Sequence, residues 1–329
     1  MNRLFAGISV LLVLSAVAIA RSEDGTLGVI RVPNNGQPAI VVRGERFTIR
    51  ALGNPDIFVD SGGKLVELSA IWHELPGQLS ETAVRIPDDF TPGLYSIVGV
   101  FNEVEDVQQR ALLILDDAPS QYHIAHIPSP GIEAAQEASL ASTAGLITIV
   151  TGDLTANGTA DEYRTLLDWL NTSPSPTIIA PGKRDSEDRR FGDYFETDPH
   201  TTRCGRDAFI TIGETIPDAS DDVTGKATAY QILRRAMKPA RWSIGISGYP
   251  HDALGLRSQI VLFVDTPLHA FVSGRSENSN EGSATVTWDS FQGATRILYS
   301  SDAQAPKIQW IHVTPAGVAI GDPPTKEEP

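Results

Sequence analysis

The sequence predicts two domains in series, an all-β sandwich followed by an α/β domain, and three observations carry that prediction. A chain of 329 residues is long for one domain, and two is the ordinary expectation. Residues 21–117 alternate short apolar runs with turn clusters and show no amphipathic helical pattern. Residues 146–185 place two apolar, strand-like runs on either side of a helical face, the pattern of a βαβ unit with parallel strands.

The first 20 residues are expected to form a leader. Arg3 precedes an apolar run from Leu4 to Ala20 that closes on Ala18-Ile19-Ala20, so a short basic region, an apolar stretch and an Ala-x-Ala cleavage site follow one another. Residues 1–20 are therefore expected to be a signal peptide and the mature protein to be secreted or periplasmic. The run falls short of the roughly 20 apolar residues of a spanning helix, which favours cleavage over an uncleaved anchor. No Cys follows it, which argues against a lipoprotein, and no later stretch is long and apolar enough to span a bilayer. A net charge of −15 argues against general binding to nucleic acid or anionic membrane, both of which call for a basic surface. The single Cys204 has no internal disulfide partner, and an inert, buried thiol is expected.

In residues 21–117, strands are expected over Gly28–Val32, Ala39–Val42, Phe47–Leu52, Leu65–Ala70, Leu94–Phe101 and Ala111–Leu115. Turn residues separate them at Pro33-Asn34-Asn35-Gly36, Gly53-Asn54-Pro55, Ser61-Gly62-Gly63 and Pro92-Gly93. Short strands at this spacing suggest an Ig-like β-sandwich, and Phe90-Thr91-Pro92-Gly93-Leu94-Tyr95 resembles a turn-and-strand common in bacterial Ig-like modules. No catalytic set clusters here. A spacer or docking role toward a protein or envelope partner is expected, with carbohydrate binding through Trp72 and a few other aromatics as the alternative. The boundary is expected in Asp116-Asp117-Ala118-Pro119-Ser120, a turn-rich break.

Residues 118–320 are expected to form the second domain, with a disordered tail over 321–329. Tyr122–Ile127 reads as its first strand and Glu133–Thr143 as a helix of small residues. Ile147–Val150 is a strand leading into Gly152-Asp153. Tyr163, Leu166, Leu167 and Leu170 fall at i, i+3, i+4 and i+7 of a helix, and Thr159 with Glu162 fits a capping box at its start. Thr177–Ala180 is a strand ending in Pro181-Gly182-Lys183-Arg184-Asp185. Further strands are expected over Phe209–Ile212, Trp242–Ser247 and from His269. A helix is expected over Tyr230–Met237 and a short helical or apolar segment over Arg257–Val264. Ala284–Trp288, Thr295–Ser300 and Ile308–Val313 read as antiparallel strands closing a second sheet. In parallel α/β sheets chemistry sits beyond the carboxyl ends of the strands, which singles out Asp153 and the 182–185 turn.

Gly152-Asp153, then Asn157-Gly158, a helix, and a second strand ending in Gly-x-x-Asp resemble the centre of the calcineurin-like metallophosphoesterases, and the resemblance spans roughly residues 122–320. It implies a two-sheet α/β sandwich. In active members it implies two metal ions held by Asp-x-His after the first strand, Gly-Asp after the second, Gly-Asn-His-Asp after the third, and a later His and Gly-His-x-His turn. This chain departs from that set. Ser129 and Gly131 stand at the Asp and His of the first motif, and Lys183 and Arg184 at the Asn and His of the third. Gly248 stands where a strand would end in His, and Arg275 and Glu277 replace both His of the last turn. Ser and Gly supply neither carboxylate nor imidazole to a metal, and arginine stays protonated, so it is a poor general acid. Asp153, which bridges both metals in the family, is the surviving ligand. Asp185 matches the residue that orients the family's His, and here it is expected to pair with a neighbouring cation.

A two-metal hydrolase needs several carboxylate or imidazole ligands around its cations. The resemblance thus implies a degenerate site with no catalytic residue and no cofactor, in a pseudoenzyme with a binding or assembly role. Loss of two dications would leave a buried Asp153 without counter-charge. Lys183, Arg184 and Arg275 are expected to substitute for the metal charge, with Asp185 and Glu277 completing the network. Such a cluster either binds phosphate or another anion or is an internal salt-bridge network. The alternative is a divergent metallophosphoesterase that hydrolyses phosphomonoesters or phosphodiesters with a divalent metal (Mn, Fe or Zn) on relocated ligands such as Asp153, His251 and Glu277. His126 and His269 would be further candidates, but both lie inside predicted strands whose alternate facing can aim them at the core. No P-loop, dinucleotide fingerprint, Cys/His zinc motif or Gly-x-Ser-x-Gly context occurs.

Overall fold

The computed structural model describes residues 26–128, 144–182, 184–185, 190–196, 200–211, 240–250, 268–274, 284–290, 293–299 and 308–324. The expected leader, the helices expected over Glu133–Thr143 and Tyr230–Met237, the helical or apolar segment expected over Arg257–Val264, and the site positions Ser129, Gly131, Lys183, His251, Arg275 and Glu277 lie outside the described residues.

The first domain has nine strands: β1 (Ile30–Val32), β2 (Ala39–Val42), β3 (Arg46–Leu52), β4 (Asp56–Asp60), β5 (Leu65–Leu68), β6 (His73–Glu74), β7 (Leu79–Arg85), β8 (Gly93–Phe101) and β9 (Val104–Leu115). They form two sheets, ordered β1-β3-β7-β6 and β2-β9-β8-β4-β5. Pairing is antiparallel except between β2 and β9. Period-two alternation builds the core: in β3, Phe47, Ile49 and Ala51 point inward while Arg46 and Thr48 face out. Ile57, Val59, Val84, Ile97, Leu112 and Ile114 complete the apolar layer between the sheets. The strands β4, β6 and β7 are not foreseen from the sequence. In β7 the buried residues are Ser80, Thr82 and Val84, so the polar–apolar alternation that marks a half-buried strand is missing.

The second domain contributes β10 (Tyr122–Pro128), β11 (Ile147–Gly152), α1 (Ala160–Thr172), β12 (Thr177–Pro181), α2 (Phe191–Tyr194), β13 (His200–Cys204), β14 (Asp207–Thr211), β15 (Ser243–Pro250), β16 (Ala270–Gly274), β17 (Ala284–Ser290), β18 (Gly293–Tyr299), β19 (Gln309–Thr314) and β20 (Gly317–Gly321). Two sheets result, ordered β12-β11-β10-β19-β20 and β13-β14-β15-β16-β18-β17. The pairs β10–β11 and β11–β12 are parallel, as the βαβ pattern requires. The parallel run β14-β15-β16-β18 forms the centre of the other sheet. Ile124, Ile147, Ile149 and Ile178 from one sheet meet Phe209, Ile244, Ile246 and Val272 from the other. Helix α1 starts at the Thr159–Glu162 capping box and buries Tyr163, Leu166, Leu167 and Leu170 with Val150 and Ile179.

Three expectations need correction. The last three strands do not close one sheet: β17 and β18 form a hairpin beside β16, whereas β19 runs antiparallel to β10 in the other sheet. There Ile311 and Val313 gain the shared core. The layering is mostly β, since among the described residues α1 is the one helix longer than four residues. The tail expected to be disordered from residue 321 is held further along, because β20 includes Gly321 and His312 Nε2 donates to the Asp322 carbonyl at 2.8 Å.

A polar loop joins the domains. The Gly36 carbonyl accepts from the Ile179 N–H at 2.9 Å, which satisfies part of β12, an edge strand. Asn35 Nδ2 donates to Asn171 Oδ1 at 2.6 Å, Gln37 Nε2 to the Glu196 carbonyl at 2.6 Å, and Thr202 Oγ1 to the Pro38 carbonyl at 3.1 Å. Ile40 and Leu113 of the first domain enter the core of the second. The linker is fastened as well. Arg241 Nη1 donates to the Ser120 carbonyl at 2.5 Å, while its Nε and Nη2 clasp the buried Asp207 at 2.9 and 2.5 Å.

Candidate functional site

The ends of β11 and β12 lie side by side, with Gly152 opposite Pro181. Gly152 has φ 97°, a conformation that side-chain-bearing residues avoid, and it turns Asp153 out beyond the sheet. The Gly182 N–H donates to the Gly152 carbonyl at 3.0 Å, which holds the second turn against the first. The Arg184 N–H then donates to Asp153 Oδ1 at 3.0 Å, and Arg184 Nε lies 3.4 Å from Oδ2. The structure thus brings Asp153 and Arg184 together. It does not bury them: the side chains are 35% and 66% exposed. Water already solvates Asp153, so the anticipated uncompensated buried charge does not arise, and a pair this exposed adds little stability.

Asp185 has a role that sequence reasoning did not foresee. It is fully buried. Its Oδ1 accepts from the Thr155 N–H at 3.0 Å and the Thr155 hydroxyl at 2.6 Å, and its Oδ2 from the Leu154 N–H at 2.8 Å. Among the described residues these main-chain and hydroxyl donors take the place of the expected cation. Burial pushes its pKa up, while those hydrogen bonds pull it down. Asp185 therefore clamps the 153–155 loop to the 182–185 turn.

Gly248 is buried near the end of β15. A Cβ there would run into the Pro181 carbonyl, carbon and oxygen alike, and the Ala180 carbonyl oxygen. The space beside Gly248 is thus filled by the main chain of β12. His126 is fully buried, with Nδ1 2.8 Å from Gln309 Oε1 and Nε2 2.8 Å from Thr151 Oγ1. Both ring nitrogens are engaged in the core, and burial lowers its pKa to about 4. His269 Nδ1 accepts from the Ser243 N–H at 3.1 Å, and the ring stands edge-on to Trp242. Cys204 is buried and its pKa is pushed up to about 12, chiefly by that burial, so the thiol is unreactive. Among the described residues no group of three or more His, Cys, Asp or Glu side chains is placed to hold a metal ion.

No protein-family model matches the chain, and no curated protein does. Among solved structures, a purple acid phosphatase from yellow lupin (Lupinus luteus) seeds is similar at 11% identity and a TM-score of 0.47, covering 82% of this chain and 68% of that chain. The complex of titin M10 with an obscurin-like 1 Ig domain is similar at 17% identity and a TM-score of 0.18, covering 27% of this chain and 91% of that chain. The titin M3 domain is similar at 12% identity and a TM-score of 0.18, covering 27% and 93%. At such identities the likeness is one of chain course and assigns no activity. No helix among the described residues is long and apolar enough to cross a membrane.

Proposed function

We propose that this is a secreted or periplasmic protein in which an Ig-like sandwich precedes a calcineurin-like phosphoesterase fold with a degenerate metal site, and that it works by binding or assembly rather than by hydrolysis. The first half of that reading is supported by strand order. Lettered in chain order, the two sheets of the first domain run A-B-E-D and A′-G-F-C-C′, the arrangement of an Ig sandwich. Tyr95, near the start of β8, donates its hydroxyl to the Thr91 carbonyl at 2.6 Å, in the manner of the tyrosine corner of such domains.

The observation that carries the second half is Gly248, where main chain closes the space a metal-binding His would need. The Gly152-Asp153 turn lies beyond a parallel strand, which supports the resemblance, but its carboxylate accepts from Arg184. Lys183 and Arg275 are proposed to add to that cationic rim, which would attract phosphate or another anion. The binding partner is proposed to be a protein or envelope component docked through the first domain.

The test is metal analysis of the purified mature protein together with hydrolysis of a generic phosphomonoester and phosphodiester in added manganese. Substoichiometric metal and no turnover are expected. Stoichiometric metal, with turnover abolished by Asp153→Ala, would overturn the proposal in favour of a divergent metallophosphoesterase.

A further inference from the structure

We infer that Asn157 is a site of spontaneous deamidation, and that the reaction unfastens the capped start of α1. The chain holds two Asn-Gly dipeptides, Asn35-Gly36 and Asn157-Gly158. Glycine has no Cβ, so in both its backbone nitrogen is sterically open to attack the side-chain carbonyl before it. The structure separates the two. Asn35 is 2% exposed, and its Nδ2 donates to Asn171 Oδ1 at 2.6 Å. The Gly36 N–H is already engaged, donating to Asn34 Oδ1 at 2.9 Å, and the Ile179 and Phe195 side chains close over it. Water, base and a free nitrogen are all withheld there. Asn157 is exposed. Its side chain makes one long hydrogen bond, from Nδ2 to Glu162 Oε1 at 3.3 Å, and its Oδ1 makes none among the described residues. The Gly158 N–H likewise donates to nothing among the described residues, and Gly158 turns the chain at φ 66°.

The step balances without a redox partner. The Gly158 nitrogen gives its proton to solvent and bonds to Asn157 Cγ. The Cγ–Nδ2 bond breaks, ammonia leaves, and a five-membered succinimide remains. Water opens that ring at either carbonyl and leaves aspartate or isoaspartate. The product falls on the α1 cap. Glu162 accepts from the Ala156, Asn157 and Thr159 N–H groups, from the Thr159 hydroxyl and from the Asn157 amide, a set that includes the capping box. Deamidation puts a carboxylate where the last of these donors stood, and two like charges then face each other. The isoaspartyl product also inserts a methylene into the main chain between positions 157 and 158, which shifts the Asn157 N–H relative to the Thr159 cap. The reaction needs no metal, anion or partner and is independent of the proposed function.

The test is peptide mapping by mass spectrometry of the full mature chain, before and after prolonged incubation in mildly alkaline buffer, folded and in urea. In the folded protein the peptide with Asn157 should show amide-to-acid exchange, split between aspartyl and isoaspartyl forms, while the peptide with Asn35 stays unchanged. In urea both should convert. Asn157→Asp, which supplies the charge directly, should unfold about 2–4 °C below wild type, the size of one lost helix cap. Incubated wild type should move toward that value, whereas Asn157→Gln should keep its starting unfolding temperature. The inference is overturned if Asn157 stays intact in the folded protein while it converts in urea, if folded Asn35 converts as fast as Asn157, or if Asn157→Asp unfolds with wild type.

Discussion

Acidification should destabilise this protein through His126 before most carboxylates titrate. The ring is fully buried between Gln309 and Thr151, and burial holds its pKa at about 4 instead of 6.5. Between those values the unfolded chain binds a proton that the folded chain refuses. Stability from this group is therefore complete above about pH 6.5 and declines as pH falls toward about 4. The difference of roughly 2.5 pH units corresponds to about 3 kcal/mol. His269 is shifted down by burial as well and adds to the same slope. Asp185 is shifted up and acts in the opposite sense, near the bottom of the window. The assay is urea unfolding of wild type and His126→Gln from about pH 7.5 to about pH 4.5. The constant cost of the substitution cancels in the difference between the two curves. Wild type should lose about 2–3 kcal/mol relative to the variant. Parallel curves, within about 0.5 kcal/mol, would refute the argument that His126 is buried as the neutral ring.

Two further substitutions probe the frame around the candidate site. Asp207→Ala should cost about 3–5 kcal/mol, because it strips a fully buried carboxylate from an Arg241 side chain that is only 16% exposed and leaves the Tyr122 hydroxyl without its acceptor. A urea midpoint shift worth less than about 1 kcal/mol would show that the linker clamp is not a buried pair. Gly248→Ala should cost about 1–3 kcal/mol by overpacking, read as a lower unfolding temperature, since the new methyl meets main chain that cannot swing aside. Unchanged stability would mean that β15 and β12 do not touch at this point.

The parts legible in the sequence are those whose signal is local. Helix α1 is readable because Tyr163, Leu166, Leu167 and Leu170 repeat at helical spacing behind a capping box, and the structure buries that face. The strands β10, β11 and β12 are readable as short apolar runs, since they bury nearly every residue. The strands β7 and β13 are hidden for the opposite reason, with Ser80, Thr82 and Thr202 on their buried faces. At the site, the closeness of Asp153 and Arg184 follows from their shared place beyond adjacent strands. The partners of Asp185 do not, because main-chain N–H groups carry no sequence signature and any residues at 154 and 155 would supply them.

By itself the sequence determined the division into a strand-rich first half and a βαβ-centred second half, because hydrophobic periodicity and turn chemistry act over a few residues. It also determined that Ser129, Lys183, Arg184, Gly248 and Arg275 are poor metal ligands, since that is a property of the side chains. Only the tertiary structure decided that β19 joins β10, that Asp153 stays in contact with water, and that Gly248 is pressed against Pro181. It alone exposed Asn157 and buried Asn35, although the same Asn-Gly dipeptide begins at both. Those outcomes depend on which edges and faces meet in space. Burial, desolvation and charge–charge energies follow from that meeting, and no local pattern encodes it.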